Sequence, residues 1–115
     1  VKAIRTEEGL QAMLREPFEV VGRWAEDHGI APQNILLGEF GMIRQEYGNS
    51  FVMRPAHRAA YYRDVIEIAE EFGFPWAMWS HGGAFGIVEE FEHRPAETDV
   101  LDMVRGLAPS AVRLD

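Results

Sequence analysis

Two short apolar segments, separated by one long helical pattern, constrain the fold of this chain more than any other feature. Residues 35–37 (Ile-Leu-Leu) and 76–79 (Trp-Ala-Met-Trp) are apolar runs typical of strands that a parallel sheet buries on both faces. The segment between them carries an apolar stripe at the spacing of one helix face: Tyr61, Val65, Ile68, Ala69 and Phe72. The order strand, helix, strand predicts a βαβ unit, in which the two strands pair in parallel.

Proline and glycine set the predicted bounds of the helices, because proline suits a first helical position and glycine suits a C-terminal stop. The sequence therefore predicts helices at about residues 17–28, before Gly29, and at residues 55–72, before Gly73. Thr98 is a suitable N-cap for a last helix. The predicted core comprises Val21, Trp24, Ile35, Leu37, Val65, Ile68, Phe72, Met78 and Val104.

Length and charge limit the classes of function. The chain has 115 residues, enough for one modest domain, and a net charge of −8 with a pI of about 4.9. An acidic surface argues against nucleic acid and anionic membranes as partners, but not against neutral sugars. There is no cysteine, so no disulfide forms, and no apolar run approaches the ~18 residues of a membrane span. The sequence opens without a signal pattern, and nothing in it predicts a cofactor.

Glu39 is the first candidate for chemistry, because it follows the first apolar segment and is flanked by Gly38 and Gly41. A charge at the end of an apolar strand is costly unless it is paired or used. Ligands bind at the carboxyl ends of parallel strands. Arg44 or Arg54 in the following loop could hold this carboxylate through charge-assisted hydrogen bonds. The alternatives, a capping carboxylate and arginines on a solvated loop, remain open.

Trp79 and His81 are the candidates for substrate binding. The face of an indole ring stacks on the apolar face of a sugar ring, so a tryptophan at the end of the second strand suits sugar binding. We assign Trp76 to the core and Trp79 to the site; the alternative is that both are core residues. His81 lies in a flexible His-Gly-Gly turn beside Trp79 and lacks partners at metal-ligand spacing, so no metal site is predicted. The acidic run of residues 89–92 is interpreted as solvated.

Three short motifs follow one another along the chain: residues 37–41 (Leu-Gly-Glu-Phe-Gly), 76–80 (Trp-Ala-Met-Trp-Ser) and 83–87 (Gly-Ala-Phe-Gly-Ile). In this order and spacing they resemble the C-terminal part of glycoside hydrolase family 5, the cellulase-type (β/α)8 barrels. The similarity extends over about residues 16–107. The resemblance implies an α/β fold in which residues 1–115 are a C-terminal fragment of the catalytic domain. The two strands would be strands 7 and 8 of a TIM barrel, with their flanking helices, and not a complete barrel.

The resemblance also assigns roles to two of the candidate residues. The Glu of the first motif is the family's nucleophile, and the last Trp of the second motif lines the sugar subsite next to the scissile bond; these positions are Glu39 and Trp79. The implied enzyme is a retaining cellulase or endoglucanase that cleaves β-linked polysaccharide by double displacement. Its partners would be a polysaccharide or oligosaccharide, and the remainder of the barrel or further copies of this chain. Enzymes like this would be secreted or periplasmic.

The sequence departs from the family at the second catalytic group. A retaining glycosidase needs two carboxylates about 5–5.5 Å apart, and the family takes its acid/base Glu from an Asn-Glu-Pro motif. This chain contains no Asn-Glu dipeptide, so residues 1–115 alone are expected to be inactive. If they did turn over substrate, Glu46 or Glu89 would be candidates for the acid role.

Two functions of other classes stay open. A non-catalytic carbohydrate-binding or interaction module would bind a glucan through Trp79 without cleaving it. A metal-dependent barrel enzyme would use Glu39 and His81 as ligands, and activity that survives a chelator would argue against it.

Overall fold

The computed structural model describes residues 7–45, 52–89 and 91–107. Within these residues the chain forms a mixed α/β fold, as the sequence predicts. The helices are α1 (Glu7–Asp27), α2 (Pro55–Phe72) and α3 (Thr98–Leu107), and the strands are β1 (Leu37–Phe40), β2 (Trp76–Met78), β3 (Val88–Glu89) and β4 (Arg94–Pro95). None of the helices described here is long and apolar enough to cross a membrane.

Strands β1 and β2 pair in parallel, which confirms the predicted strand, helix, strand unit with α2 as the crossover. Leu37 is opposite Trp76 and Phe40 is opposite Met78, with an irregular register between these pairs. The backbone N–H of Leu37 donates to the carbonyl of Pro75 at 2.8 Å, which fixes the start of the pair. Strands β3 and β4 form a separate antiparallel pair.

Strand β1 begins two residues later than the apolar run that predicts it. Pro32–Asn34 form a turn of 3₁₀ helix, and the backbone N–H of Ile35 still donates to the carbonyl of Pro32 at 2.9 Å. The strand therefore contains Gly38 and Glu39 instead of ending before them, and both are exposed. The prediction that this strand is buried on both faces is wrong for the described residues.

Helix α1 is longer than the sequence predicts. It begins at Glu7 and contains Pro17, the residue at which the sequence predicts its start. Proline inside a helix removes one backbone hydrogen bond and crowds the preceding turn, so a proline in this pattern is normally taken as a boundary. The acidic residues Glu7 and Glu8 in the first turn interact favourably with the helix dipole and support the earlier start.

The predicted helix ends are confirmed. Gly29 and Gly73 follow α1 and α2 with φ angles of 66° and 74°, a left-handed conformation that glycine adopts without strain. The backbone N–H groups of Ile30 and Phe74 then reach back to carbonyls of the last turn, at 2.8 and 2.9 Å. Helix α2 has the predicted bounds, residues 55–72, and α3 begins at Thr98.

The chain divides into two compact units. The first contains the residues up to Phe40 together with Asp64–Met78, and the second contains Gly41–Arg63 together with the residues from Trp79 onward. The buried side chains of the first unit are apolar: Ala25, Phe40, Val65, Ile66, Ile68, Ala69 and Phe74. Those of the second unit are Arg58, Ala59, Tyr62, Val100 and Met103.

The predicted core is confirmed on α2 and wrong on α1. Val65 and Ile68 are buried, whereas Ile35, Leu37, Phe72, Met78 and Val104 are half-buried. Val21 and Trp24 are 38% and 49% exposed. Along the first unit, the apolar side of α1 borders an open groove of about 170 Å³, lined by Pro17, Phe18, Val21, Ile35, Leu36, Leu37 and Phe74.

A substitution at Ile66 tests the core of the first unit. Ile66 is fully buried, so Ile66→Ala removes contacts and leaves a cavity, and we expect the free energy of unfolding to fall by about 2–5 kcal/mol. Chemical denaturation followed by circular dichroism measures this loss. The matched control is Val20→Ala, at a position that is 53% exposed, where we expect a change within about 0.5 kcal/mol. Equal losses in the two variants would contradict this core.

Candidate functional site

Glu39 lies in β1 of the first unit with its side chain exposed. The next residue, Phe40, is buried, and its ring packs edge-on against Trp76 with the ring centres 6.2 Å apart. Successive residues of a strand point to opposite faces. The packing of Phe40 on one face therefore presents the Glu39 carboxylate on the other, in reach of solvent and of a ligand.

The glycine before Glu39 is not required by packing among the described residues. A Cβ atom added at Gly38 would meet only the Leu36 side chain, at 3.8 Å and beyond, which is an ordinary contact. The described residues therefore leave room for a side chain at position 38.

The two tryptophans of the second motif differ in exposure. Trp76 is half-buried against Phe40, and its indole N–H lies 3.5 Å from a carboxylate oxygen of Glu70. Trp79, in the second unit, is 49% exposed. These exposures agree with the assignment of Trp76 to packing and with an accessible ring at Trp79. The sugar-binding role of Trp79 stays a prediction.

The backbone of Trp79 is held from two sides within the second unit. The hydroxyl of Tyr62 donates to the Trp79 carbonyl at 3.0 Å. On the other side lies Gly41, where an added Cβ atom would overlap the same carbonyl oxygen, so only glycine fits there. The peptide bond between Trp79 and Ser80 is cis.

His81 has an exposed side chain and lies in a loop that is closed by hydrogen bonds between backbone groups. The His81 carbonyl accepts hydrogen bonds from the N–H groups of Ile87 and Val88, at 3.0 and 3.1 Å. A Cβ atom at Gly86 would come within 2.6–2.7 Å of the Gly82 backbone, so the loop is closed tightly enough to require glycine there. The imidazole is thus carried on an ordered backbone and remains accessible.

Arg58 is a buried supporting residue of the second unit that the sequence interpretation missed. Its side chain is fully buried, its Nε–H donates to the Met42 carbonyl at 3.1 Å, and it forms an ion pair with Glu97. Its remaining amino group donates to the carbonyls of Phe85 at 2.8 Å and Gly86 at 3.4 Å. It lies one helical turn before Tyr62 on α2, a spacing that could have placed it on the buried stripe.

Arg44 pairs with Glu89, which corrects two predictions. Its guanidinium group donates to both oxygens of Glu89, at 2.7 and 3.5 Å, so it is engaged there and not with Glu39. Glu89 is half-buried, so its part of the acidic run is not freely solvated. Arg54 has an exposed side chain, and Glu46 lies outside the described residues.

The ion pair sets the protonation of Glu89. The hydrogen bond from Arg44 lowers the pKa of this carboxyl, and the charges of Arg44 and Arg94 lower it further, against a desolvation effect that raises it. A carboxylate held in this way is a poor proton donor, so Glu89 does not suit the acid role. Among the described residues, no group of three or more His, Asp or Glu side chains is placed to hold a metal ion.

No protein-family model matches the chain, and no curated protein matches it. Solved structures do. The chain is 26% identical to a hyperthermophilic endo-β-1,4-glucanase solved in complex with substrate, with a TM-score of 0.65 over 87% of this chain and 29% of that one. It is 29% identical to the cellulose synthase subunit Z from Clostridioides difficile, with a TM-score of 0.68 over the same shares. The fold also matches an endoglucanase from Thermotoga maritima, at 21% identity and a TM-score of 0.64 over 85% and 28%.

These likenesses confirm the resemblance to the endoglucanases of glycoside hydrolase family 5. The chain spans less than a third of the length of the structures it matches, at 28–29% of each. The shared fold is therefore a mixed α/β part of those chains.

The Arg44–Glu89 pair has a measurable pH dependence. We expect the Glu89 carboxyl to titrate below the ~4.3 of a free glutamate when followed by carbon-13 NMR. Because the folded-state pKa is depressed, the pair's contribution to stability is complete above the unfolded-state pKa and is lost as the pH falls through the folded-state value.

Arg44→Met should return the Glu89 midpoint towards its ordinary value. The control is Arg105→Met, which removes an exposed arginine whose ion pair with Asp102 spans 3.5 Å, and which should leave the Glu89 midpoint unchanged. The assigned cause would be wrong if the midpoint stayed low in Arg44→Met.

Proposed function

We propose that residues 1–115 are the C-terminal segment of the catalytic barrel of a retaining glycoside hydrolase that acts on β-linked glucans. In this proposal β1 and β2 are the seventh and eighth strands. The observation that carries it is the exposed Glu39 in a strand that pairs in parallel with the strand leading to Trp79, in a chain whose fold matches endoglucanases. The roles of individual residues follow from the chemistry that these groups can perform.

Glu39 is proposed as the nucleophile. Its carboxylate attacks the anomeric carbon and forms a glycosyl ester, while the leaving oxygen takes a proton from a second carboxylic acid. That second group then removes a proton from water, the water oxygen attacks the anomeric carbon, and the Glu39 carboxylate leaves. Two inversions give net retention. The exposure of the Glu39 side chain supports this role.

Trp79 and His81 are proposed to bind the sugar. The half-exposed indole ring offers a flat apolar face on which a pyranose ring can stack. The exposed imidazole can donate to or accept from sugar hydroxyl groups. The backbone that carries both side chains is fixed by the hydrogen bonds at the Trp79 and His81 carbonyls, so little backbone freedom is lost on binding.

The acid/base carboxylate is proposed to come from sequence other than residues 1–115. The chain has no Asn-Glu dipeptide, and Arg44 holds Glu89 in the ionised form. The same missing part of the barrel would cover the apolar groove beside α1, where Leu36 is 65% exposed. Burying such a face against a neighbouring strand and helix is what a parallel barrel requires.

Removal of the Glu39 carboxylate tests the nucleophile, in the gene product that carries these residues. Glu39→Ala should lower the turnover of an aryl β-cellobioside by about a thousandfold or more, as loss of a covalent nucleophile does. Added azide should restore turnover, because it can attack from the side that Glu39 occupied. The product should be the α-cellobiosyl azide, identified by NMR. The matched control is Glu26→Ala, at an exposed position of α1, which should keep full activity.

Other results of these experiments would contradict the proposed role of Glu39 or the proposed class of enzyme. A β-cellobiosyl azide would make Glu39 the acid/base, and undiminished turnover by Glu39→Ala would remove it from the mechanism. An unsubstituted protein that binds glucan without cleaving it would be a carbohydrate-binding module. Loss of activity on addition of a chelator would favour a metal-dependent enzyme.

A further inference from the structure

One buried hydroxyl group joins two loops of the second unit. The Tyr62 side chain is fully buried. Its hydroxyl accepts a hydrogen bond from the backbone N–H of Met42 at 3.3 Å and donates one to the carbonyl of Trp79 at 3.0 Å. The segment that follows β1 is thus tied to the first residue after β2 through a single side-chain oxygen.

The Trp79 carbonyl has no room to turn away from this oxygen. An added Cβ atom at Gly41 would overlap the carbonyl oxygen of Trp79 and would lie 3.2 Å from the Tyr62 hydroxyl. The carbonyl is therefore enclosed by the Gly41 backbone and the Tyr62 hydroxyl. Fixing the plane of this peptide group fixes the backbone at Trp79, and with it the direction in which the half-exposed indole leaves the chain.

The Tyr62 ring is itself held in place. The Arg58 guanidinium lies 5.6 Å from the ring centre, within the range of a cation–π contact, and the Tyr61 ring packs edge-on against it at 5.6 Å. Arg58 also binds the carbonyl of Met42, whose N–H binds the Tyr62 hydroxyl. These contacts restrict the movement of the Tyr62 ring and thereby fix the position of its hydroxyl group.

We infer that Tyr62 is a positioning residue, whose hydroxyl sets the orientation of the Trp79 indole for stacking on a β-linked glucose unit. The inference rests on the proposed role of Trp79 in sugar binding. It adds a residue that does not touch the sugar and acts on it through the backbone of Trp79.

The orientation of Trp79 can be observed without any ligand. The gene product that carries this chain is labelled with 5-fluorotryptophan, and the Trp79 line of the fluorine-19 spectrum is the one that Trp79→Phe removes. In Tyr62→Phe, which deletes only the hydroxyl, this line should broaden or shift while the lines of the other tryptophans stay in place. The matched control is Tyr61→Phe, which deletes the hydroxyl of the adjacent, half-buried tyrosine. It should leave the Trp79 line unchanged.

Binding of cellotetraose provides the second readout. Isothermal titration is done with Glu39→Ala present in every protein, so that the sugar is bound and not cleaved. Adding Tyr62→Phe should give a dissociation constant about fivefold higher, the worth of one net hydrogen bond. Tyr61→Phe should bind like the unsubstituted protein, and Trp79→Ala should bind far more weakly than Tyr62→Phe. Thermal unfolding followed by circular dichroism checks that the variants remain folded.

The unsubstituted protein gives a measurement that does not depend on any variant. The Tyr62 hydroxyl proton, buried and hydrogen-bonded, should exchange with solvent slowly enough to be detected by NMR. An exchange rate like that of a free tyrosine would overturn the inference, even if Tyr62→Phe failed to fold.

The outcomes separate this inference from the proposed function. If Trp79→Ala binds cellotetraose as well as the unsubstituted protein, the proposed role of Trp79 fails, and with it the sugar-directed part of the inference. If Trp79→Ala loses binding while Tyr62→Phe changes neither the Trp79 line nor the dissociation constant, the function stands and the positioning role of Tyr62 is overturned.

Discussion

The second unit depends on the buried charge of Arg58. A guanidinium group removed from water must have its hydrogen-bonding groups satisfied. Arg58 finds its partners on three separate segments: the carbonyl of Met42, the carbonyls of Phe85 and Gly86, and the carboxylate of Glu97. Loss of one partner from such a site costs about 3–5 kcal/mol, because it leaves a buried charge uncompensated. The segments that follow β1 and β2 are therefore constrained together with the approach to α3.

The fold could be predicted from sequence where local chemistry decides it. The bounds of α2, the glycine stops at Gly29 and Gly73 and the parallel pairing of β1 with β2 all follow from patterns within the segments themselves. The errors arise where tertiary contacts or turns override a local rule. Pro17 lies inside α1, and a turn at Pro32–Asn34 delays β1 until Leu37. On α2 the predicted stripe includes Tyr61, which is half-buried, and leaves out Tyr62 and Ile66, which are fully buried.

In the candidate site, too, sequence patterns suggest some residues, and only the structure shows others. Glu39, Trp79 and His81 are candidates from sequence alone because each lies at the end of an apolar run in a motif with a chemical meaning, and their roles stay predictions. The groups that hold the site could not be identified in this way, because Arg58 and Tyr62 bind backbone atoms of distant loops, and a carbonyl oxygen leaves no signature in a sequence. Arg44 illustrates the limit: its charge suggests a carboxylate partner, but only the fold selects Glu89 over Glu39.

The close approach of Gly41 to the Trp79 carbonyl divides the Gly-Glu-Phe-Gly motif into two kinds of requirement. Its last glycine is dictated by sterics, whereas its glutamate has only the proposed chemical role, so the two are free to be lost separately. A protein with this fold and no catalytic activity would still need Gly41, whereas no packing contact seen among the described residues requires Glu39. The glycine of such a motif therefore indicates the fold, and activity has to be judged from the carboxylate between the glycines together with a second, acid/base carboxylate.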